Sequence, residues 1–165
     1  FVECEIQAIE GEITSLSETP RYAEPYRALT SKLKGVGLMT AMVFLTEIGD
    51  MGRFPNRRTL GAFLGLVPSS NESGEKGDRK GHITREGSPR LRYVLCQATW
   101  SRVRSDPDAS LVYDRIVRKN PKHKKIAAVA MMRRLGIRMW HVARKAQVRC
   151  GIFAPEQMTA GVPTA

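Results

Sequence analysis

One serine of the chain has sequence neighbours that would suit a nucleophile attacking a phosphodiester. Ser73 is followed by Gly74, and a glycine neighbour leaves the serine hydroxyl unhindered. The nearby chain supplies cations that could hold a phosphate and stabilise its transition state, namely Lys76, Arg79, Lys80, Arg85, Arg90 and Arg92. This pattern suits phosphoryl transfer to serine. The alternative is that Ser73-Gly74 is only a basic linker, as most Ser-Gly pairs in such loops are.

No general base is placed beside this serine. The histidines His82, His123 and His141 each lie alone, and we interpret each as a phosphate contact or a helix-surface residue. A serine without a local base is not deprotonated efficiently at neutral pH. Ser73 would therefore need a base or a metal ion from another domain, while its own loop would bring the hydroxyl to the phosphate.

A second constellation is the run Lys34-Gly35-Val36-Gly37, which continues into the apolar stretch from Leu38. Two glycines without Cβ atoms would let backbone N–H groups at the start of a helix approach a phosphate, and the helix dipole favours that anion. Such a turn would bind DNA without reading its bases. The alternative is a tight turn that only connects two helices.

The periodicity of apolar residues predicts a mainly α fold. Caps and proline or glycine stops bound helices at 22–34, 38–48, 57–64, 89–104, 109–119 and 124–147. We expect Asn56 and Ser88 to cap the third and fourth of these, and Leu91, Val94, Leu95, Ala98 and Val103 to face the core. Residues 50–55 read as a loop. The Gly/Ser/basic stretch 67–87 contributes no core and offers His82-Ile83-Thr84 as one arm of a small hairpin.

The first 18 residues have the apolar spacing of a coiled coil. Val2, Ile6, Ile9, Ile13 and Leu16 follow the alternating steps of four and three that mark a and d positions. Two heptads are too short to be stable alone, so we interpret this segment as the end of a longer helix that drives self-association. The alternative is an amphipathic helix packed on its own domain.

Charge divides the chain into two unlike parts. The whole sequence of 165 residues has a net charge of +11 and a pI near 10.1. Residues 1–75 carry 7 basic and 10 acidic residues, whereas residues 76–149 carry 20 basic and 5 acidic residues. Because the excess runs through segments with apolar periodicity, it indicates a folded basic face and a polyanionic partner.

Other features of the composition narrow the class of protein. The cysteines Cys4, Cys96 and Cys150 are odd in number and have no C-x-x-C spacing, which argues against a disulfide framework or a zinc site. No apolar run is long enough for a membrane span, and no signal-peptide pattern is present. We expect a cytoplasmic protein, and because the sequence starts at Phe1, a piece of a longer one.

Several ordered motifs together carry a family resemblance. They are LKGVGLMTAMVFLTEIGDMGRF, GAFLGLVP, the Ser-Gly pair, GHITREGSPRLR and the later basic helices, across about residues 29–146. In this order the chain resembles the C-terminal domain of bacterial insertion-sequence transposases of the one-ten and eleven-eleven group, which are close to the pilin-gene invertases. As a bacterial DNA-acting protein it would be associated with the nucleoid.

The resemblance implies a larger protein. Family members have an N-terminal RuvC-like nuclease domain with DEDD acids that bind Mg²⁺, a coiled-coil connector, and a C-terminal domain with a serine nucleophile. In guided members a bridge RNA selects the DNA. The resemblance places the nucleophile on Ser73, with Ser69 and Ser70 as neighbours that could be mistaken for it. We assign no metal to this chain, because Asp50, Asp78, Asp106, Asp108 and Asp114 lack the expected strand context.

The sequence thus predicts three regions: a connector end at 1–20, a helical C-terminal transposase domain at 21–148 with a helix-hairpin-helix at 29–49, and a flexible tail at 149–165. We expect the domain to bind DNA and guide RNA as a homodimer or higher oligomer. Its DNA contacts would include Lys34, Gly35 and Gly37. The alternatives are a non-catalytic helix-hairpin-helix module and a purely structural RNA-binding protein, in both of which Ser73 has no special role.

Overall fold

The computed structural model describes residues 2–70, 80–119 and 121–152. In chain order the α-helices are α1 (Val2–Ser17), α2 (Ala23–Lys32), α3 (Leu38–Ile48), α4 (Arg57–Phe63), α5 (Pro89–Ser105), α6 (Pro107–Lys119) and α7 (Lys124–Arg149). Two short strands, β1 (Pro68–Ser70) and β2 (Lys80–Ile83), and 3-10 turns at Met51–Arg53 and Pro121–His123 complete the described elements. The fold is mainly helical, as the sequence predicts.

The core forms where α2 and α5 pack on the long helix α7 and α3 packs on α2 and α5. Its largest buried side chains include Leu29, Phe44, Leu95 and Met139, one from each of these helices. Removing such side chains from water supplies the main favourable term in folding. This packing fixes the position of α5, which carries the exposed stripe described below.

Helix α1 leaves most of its apolar stripe uncovered. Val2 is 66% exposed and Ile9 is 56% exposed, and Ile13 is the stripe residue that packs against the core. The alternative, an amphipathic helix packed on its own domain, describes the end of α1 at Ile13 and Ser17 but not the exposed residues 2–9. The a/d spacing itself stays a prediction of a coiled coil.

The loop expected at residues 50–55 contains a 3-10 turn, Met51–Arg53, whose Met51 is fully buried. Helix α7 satisfies its backbone. The Gln147 side chain accepts from Met51 N and donates to Gly49 O, each at 2.9 Å, and Trp140 Nε1 donates to Met51 O at 2.9 Å. The sequence could not show this, because the partners lie about ninety residues away and buried backbone needs such bonds.

Both expected helix caps are confirmed. Asn56 Oδ1 accepts from the backbone N–H of Arg58 and Thr59 at 2.9 and 3.0 Å, and Ser88 Oγ accepts from Leu91 N at 3.4 Å. Helix α6 begins two residues earlier than expected, at Pro107, because proline is tolerated in a first helical turn. Val103 was expected to face the core but is only half-buried, and Thr99 takes an inner position instead.

The expected hairpin arm is present as β2, which pairs antiparallel with β1. Pro68 lies opposite Ile83, and Ser70 lies opposite Lys80. Ile83 packs against the core, so the expectation that residues 67–87 contribute no core is wrong at this position. Its side chain covers the core at the base of the hairpin.

Candidate nucleic-acid interface

The turn between α2 and α3 has one open glycine. Gly37 precedes α3, is exposed, and has nothing within 4 Å of the place a Cβ would occupy. Lys34 is exposed in the same turn. An anion could therefore reach the free N–H groups at the start of α3. The helix-hairpin-helix interpretation remains a prediction.

The structure gives another reason for a glycine at position 35 than the approach to a phosphate that the sequence suggests. Its φ is +83°, and a Cβ there would lie 2.8 Å from Arg102 N and 2.9 Å from Ala98 O. The backbone of the turn therefore packs directly on α5, and only glycine fits. Gly35 holds the turn against the core, while Gly37 is the position where a ligand has room.

The base of the hairpin is fixed by two glycines and one strained residue. A Cβ on Gly87 would lie 2.8 Å from Leu64 C and 3.0 Å from Gly65 N. Thr84 N donates to Val67 O at 2.9 Å and Arg85 N donates to Gly65 O at 3.3 Å. Arg85 itself has φ +57°, which is rare for a residue with a side chain. The sequence segments GLVP and GHITREG are therefore bound together as one unit.

The proposed nucleophile belongs to the segment that joins the two strands. Ser73, Lys76 and Arg79 lie in residues 71–79, outside the described residues, and this segment connects the paired residues Ser70 and Lys80. Lys80 and His82 belong to β2. Two of the residues predicted around Ser73, Lys80 and His82, thus lie on a strand that pairs with β1.

The predicted arginine contacts separate into two kinds. Arg85 and Arg90 are exposed, at the hairpin base and at the start of α5. Arg92 is half-buried, and its Nη1 donates to Gly87 O, so it helps to fix the hairpin base. A guanidinium holding a backbone carbonyl in this way has a positioning role whether or not it also reaches a phosphate.

Sequence reasoning missed an exposed stripe along α5. Arg90, Tyr93, Gln97, Trp100 and Arg104 all face solvent at steps of three and four residues. Tyr93 is 66% exposed, and the Trp100 ring meets the Tyr113 ring of α6 edge-on at 5.5 Å. Arginine interleaved with aromatic rings is typical of surfaces that bind nucleic-acid backbone and stack on bases. The helical spacing in the sequence would have revealed this stripe.

Basic residues extend from this stripe over α6 and α7. The following are exposed on those two helices: Arg115, Arg118, Lys119, Lys124, Lys125, Arg134, Arg138, Lys145 and Arg149. Arg149 approaches Glu24 at 3.6 Å, and the others have no carboxylate within 4 Å among the described residues. The basic half of the sequence thus belongs to folded helices, as the periodicity predicts, with Arg134 and Arg138 beside α5 and α6 and with Lys145 and Arg149 beside α2.

His141 lies among these cations. Partial burial lowers its pKa below the ordinary value of 6.5, and the positive charges of Lys145, Arg144 and Arg57 lower the pKa further. Both causes disfavour the charged imidazolium. His141 is therefore neutral at neutral pH, and a phosphate beside it would favour its protonation.

The acids of the described residues do not fit a magnesium site. Among residues 2–70, 80–119 and 121–152, no group of three histidine, cysteine or acidic side chains is placed to hold a metal ion.

In the same ranges, no helix is both long and apolar enough to cross a membrane.

A sequence model of the transposase IS116/IS110/IS902 family matches residues 27–114, which is more than half of the chain. The chain belongs to this family. The region of this chain that matches the transposase family runs from α2 into α6. It contains the α2–α3 turn, both hairpin strands and all of α5.

Individual relatives extend the match. A putative transposase y4qE of Sinorhizobium fredii is 45% identical over 69 residues, which are 42% of this chain and 17% of that protein. An insertion element IS110 protein of 43.6 kDa from Streptomyces coelicolor is 28% identical over 159 residues, or 96% of this chain and 36% of the relative.

The transposase for insertion sequence element IS1111A of Coxiella burnetii is 31% identical over 124 residues, which are 72% of this chain and 33% of the relative. Over 96% of its length the chain thus matches about a third of the Streptomyces coelicolor protein, and the other two matches also cover a third or less of the relative.

Proposed function

We propose that this chain is the DNA-binding, strand-transferring domain of an insertion-sequence transposase, with Ser73 as the nucleophile. Membership of the transposase family is the observation that carries the proposal. The described residues that flank Ser73 in the sequence agree with it, because Ser70 and Lys80 pair in two strands and the segments at the other end of these strands pack together at Gly65 and Gly87.

The proposed reaction is a transesterification at phosphorus. The Ser73 Oγ–P bond forms as the bond from phosphorus to one deoxyribose oxygen breaks, so the number of phosphodiester bonds is conserved. The serine proton leaves to a base, and the departing deoxyribose oxygen takes up a proton. The basic residues of the hairpin and of α5 stabilise the added negative charge. The described acids do not fit a metal site, so no step is assigned to a metal ion.

Nucleic-acid binding in this proposal uses two surfaces. The open N-terminus of α3 at Gly37 receives a backbone phosphate, and the α5 stripe with the basic residues of α6 and α7 holds the rest of the strand. Because Lys and Arg dominate these surfaces, binding is electrostatic and largely indifferent to sequence. Gly37→Val should weaken DNA binding and leave the helical content unchanged in circular dichroism. Unchanged binding by the folded variant would make this turn a connector only.

The test of the nucleophile is a covalent trap. In the intact transposase, a nicked suicide DNA substrate should leave a phosphoserine adduct that mass spectrometry maps to Ser73. Ser73→Ala should abolish strand exchange and retain DNA binding, and Ser69→Ala and Ser70→Ala are the matched controls that should remain active. An adduct on another serine or on a tyrosine, or recombination by Ser73→Ala, would leave a non-catalytic nucleic-acid-binding module.

The same proposal includes two partners. A bridge RNA would select the DNA, and copies of the protein would pair through α1, whose Val2, Ile6 and Ile9 are exposed. Ile6→Lys together with Ile9→Lys should shift the intact transposase toward monomer in sedimentation, because charge at a and d positions opposes a coiled coil. A transposition assay of the element with and without its flanking non-coding DNA tests the guide RNA.

A further inference from the structure

A small cavity lies between α5, α6 and α7, and none of its lining residues belongs to the β1–β2 hairpin or the α2–α3 turn. Its volume is about 70 Å³, and its polar lining comes from Thr99, Arg102, Asp108, Arg134 and Arg138. A single water needs roughly 10–15 Å³, so the space admits a larger group. Arg134 and Arg138 are exposed, which places them at the mouth of the cavity, while Thr99 lies at its inner side.

Two lining groups are buried without a hydrogen-bond partner among the described residues. Thr99 is only 3% exposed, and its Oγ1 has no partner there. Arg102 is similarly enclosed, with its side chain 12% exposed. Its Nη2 binds Asp106 Oδ2 at 2.9 Å, but its buried Nη1 has no partner within the same described ranges. Buried polar groups in native proteins are nearly always satisfied, so unpaired donors that line one cavity indicate a missing acceptor.

The charge of the lining favours an anion as that acceptor. The lining holds three guanidinium groups, on Arg102, Arg134 and Arg138, and one carboxylate, on Asp108. Asp106 lies outside the lining and pairs with Arg102. One positive charge is therefore left over, which is the charge that a phosphodiester neutralises. Guanidinium forks and a hydroxyl are donors well suited to phosphate oxygens. A water could satisfy the donors but would leave this charge unmatched.

The cavity also borders the aromatic part of the α5 stripe. Trp100 follows Thr99 directly in the chain, and its ring meets Tyr113, the residue after the lining residue Val112. A strand whose base stacks on Trp100 would carry its next phosphate close to the mouth. This position favours a nucleic-acid phosphate over a free ion.

We propose that the cavity formed by Thr99, Arg102, Arg134 and Arg138 binds one backbone phosphate of a nucleic-acid strand that passes over α5. The inference rests on the proposed function, since it assumes that this surface binds nucleic acid. It adds a defined phosphate position, separate from the α2–α3 turn and from the hairpin. Thr99 supplies the innermost donor of this position.

The experiment measures DNA affinity and its salt dependence in the whole chain. Thr99→Val keeps the side-chain shape and removes the hydroxyl, and it should weaken binding about fivefold, whereas Thr99→Ser should bind like the wild type. Thr30→Val is the matched control, because the Thr30 hydroxyl bonds only within its own helix, to Tyr26 O at 3.0 Å and Arg27 O at 3.4 Å. Arg138→Gln should reduce the slope of log affinity against log salt by ~0.7 on single-stranded DNA. Arg27→Gln, an equal charge change on α2, should change the slope less.

A set of DNA strands with one neutral methylphosphonate each locates the phosphate. At one position, the neutral linkage should weaken DNA binding by the wild type. The same linkage should not further weaken DNA binding by Thr99→Val. If no position behaves in this way and Thr99→Val binds DNA normally with a raised melting temperature, the cavity holds only water and the inference is overturned. DNA binding by the wild type would still support the proposed function.

Inorganic phosphate tests whether the ligand of the cavity is a free ion or a nucleic-acid phosphate. Under the proposal, phosphate binding detected by ³¹P NMR should be lost in Thr99→Val and should be displaced by DNA. Phosphate that binds at the cavity without competition from DNA would overturn the nucleic-acid assignment. A wild type that binds phosphate there but no nucleic acid at all would instead overturn the proposed function.

Discussion

The hairpin base and the α5–α7 surface are both basic, but they are built in opposite ways. At the hairpin base, backbone atoms approach so closely that Gly65 and Gly87 cannot carry a Cβ, and Arg92 donates to a backbone carbonyl. On the α5–α7 surface, side chains stand in solvent, and two buried donors have no partner among the described residues. The first region fixes a position, and the second is left open for a ligand.

The contrast teaches how one basic half of a sequence can serve two purposes. Arginine that satisfies a carbonyl stabilises the fold, whereas arginine without a carboxylate nearby stays available for a phosphate. Substitutions in the two regions should therefore affect different measurements. Stability should respond at the hairpin base, and nucleic-acid affinity should respond on the α5–α7 surface.

The largest effect is expected from Gly87→Ala. Its Cβ would collide with the backbone of Phe63 and Leu64, so we expect a loss of about 3 kcal/mol in the free energy of unfolding and a fall in Tm of roughly 6–12 °C. Gly37→Ala is the control, since a Cβ there meets nothing within 4 Å, and its change should stay below about 1 kcal/mol. Equal melting temperatures for the two variants would contradict the close packing at the hairpin base.

A smaller effect, on binding alone, is expected from Trp100→Ala. Loss of one base stack should cost about 1–3 kcal/mol of affinity for single-stranded DNA, measured by fluorescence anisotropy. The fall in Tm should be smaller than for Gly87→Ala, because Trp100 is 37% exposed and its ring contact is with Tyr113. Leu111→Ala serves as the control because Leu111 is 62% exposed on α6 and has no π face. A Trp100→Ala variant that binds as tightly as the wild type would remove the stripe from the interface.

The smallest effect concerns pH and His141. Its pKa is lowered in the folded protein, so below pH 6.5 the unfolded chain binds more protons and stability falls as pH decreases toward the lowered pKa. Above 6.5 the effect vanishes. His141→Gln should therefore lose less stability than the wild type between about pH 7.5 and pH 5.5 in urea unfolding. DNA should oppose this loss in the wild type, and the same pH dependence in both proteins would contradict the shift.

The sequence by itself determined the helices, their caps at Asn56 and Ser88, the hairpin arm at 82–84 and the basic half. These follow from local spacing, capping chemistry and composition, which act over a few residues. The same local motifs also carried the family resemblance. Ser73 stays a prediction of that resemblance.

Only the tertiary structure decided which residues have which role. The backbone of α5 leaves room only for glycine at position 35, and the backbones at Gly65 and Gly87 leave no room for a Cβ on each other. The turn at Met51 is held by a hydrogen bond to Gln147. The separation of Arg92 from the exposed Arg90, and the cavity around Thr99, also depend on how the helices pack. The reason is physical: burial and close approach join residues far apart in the chain, and local patterns contain no record of those contacts.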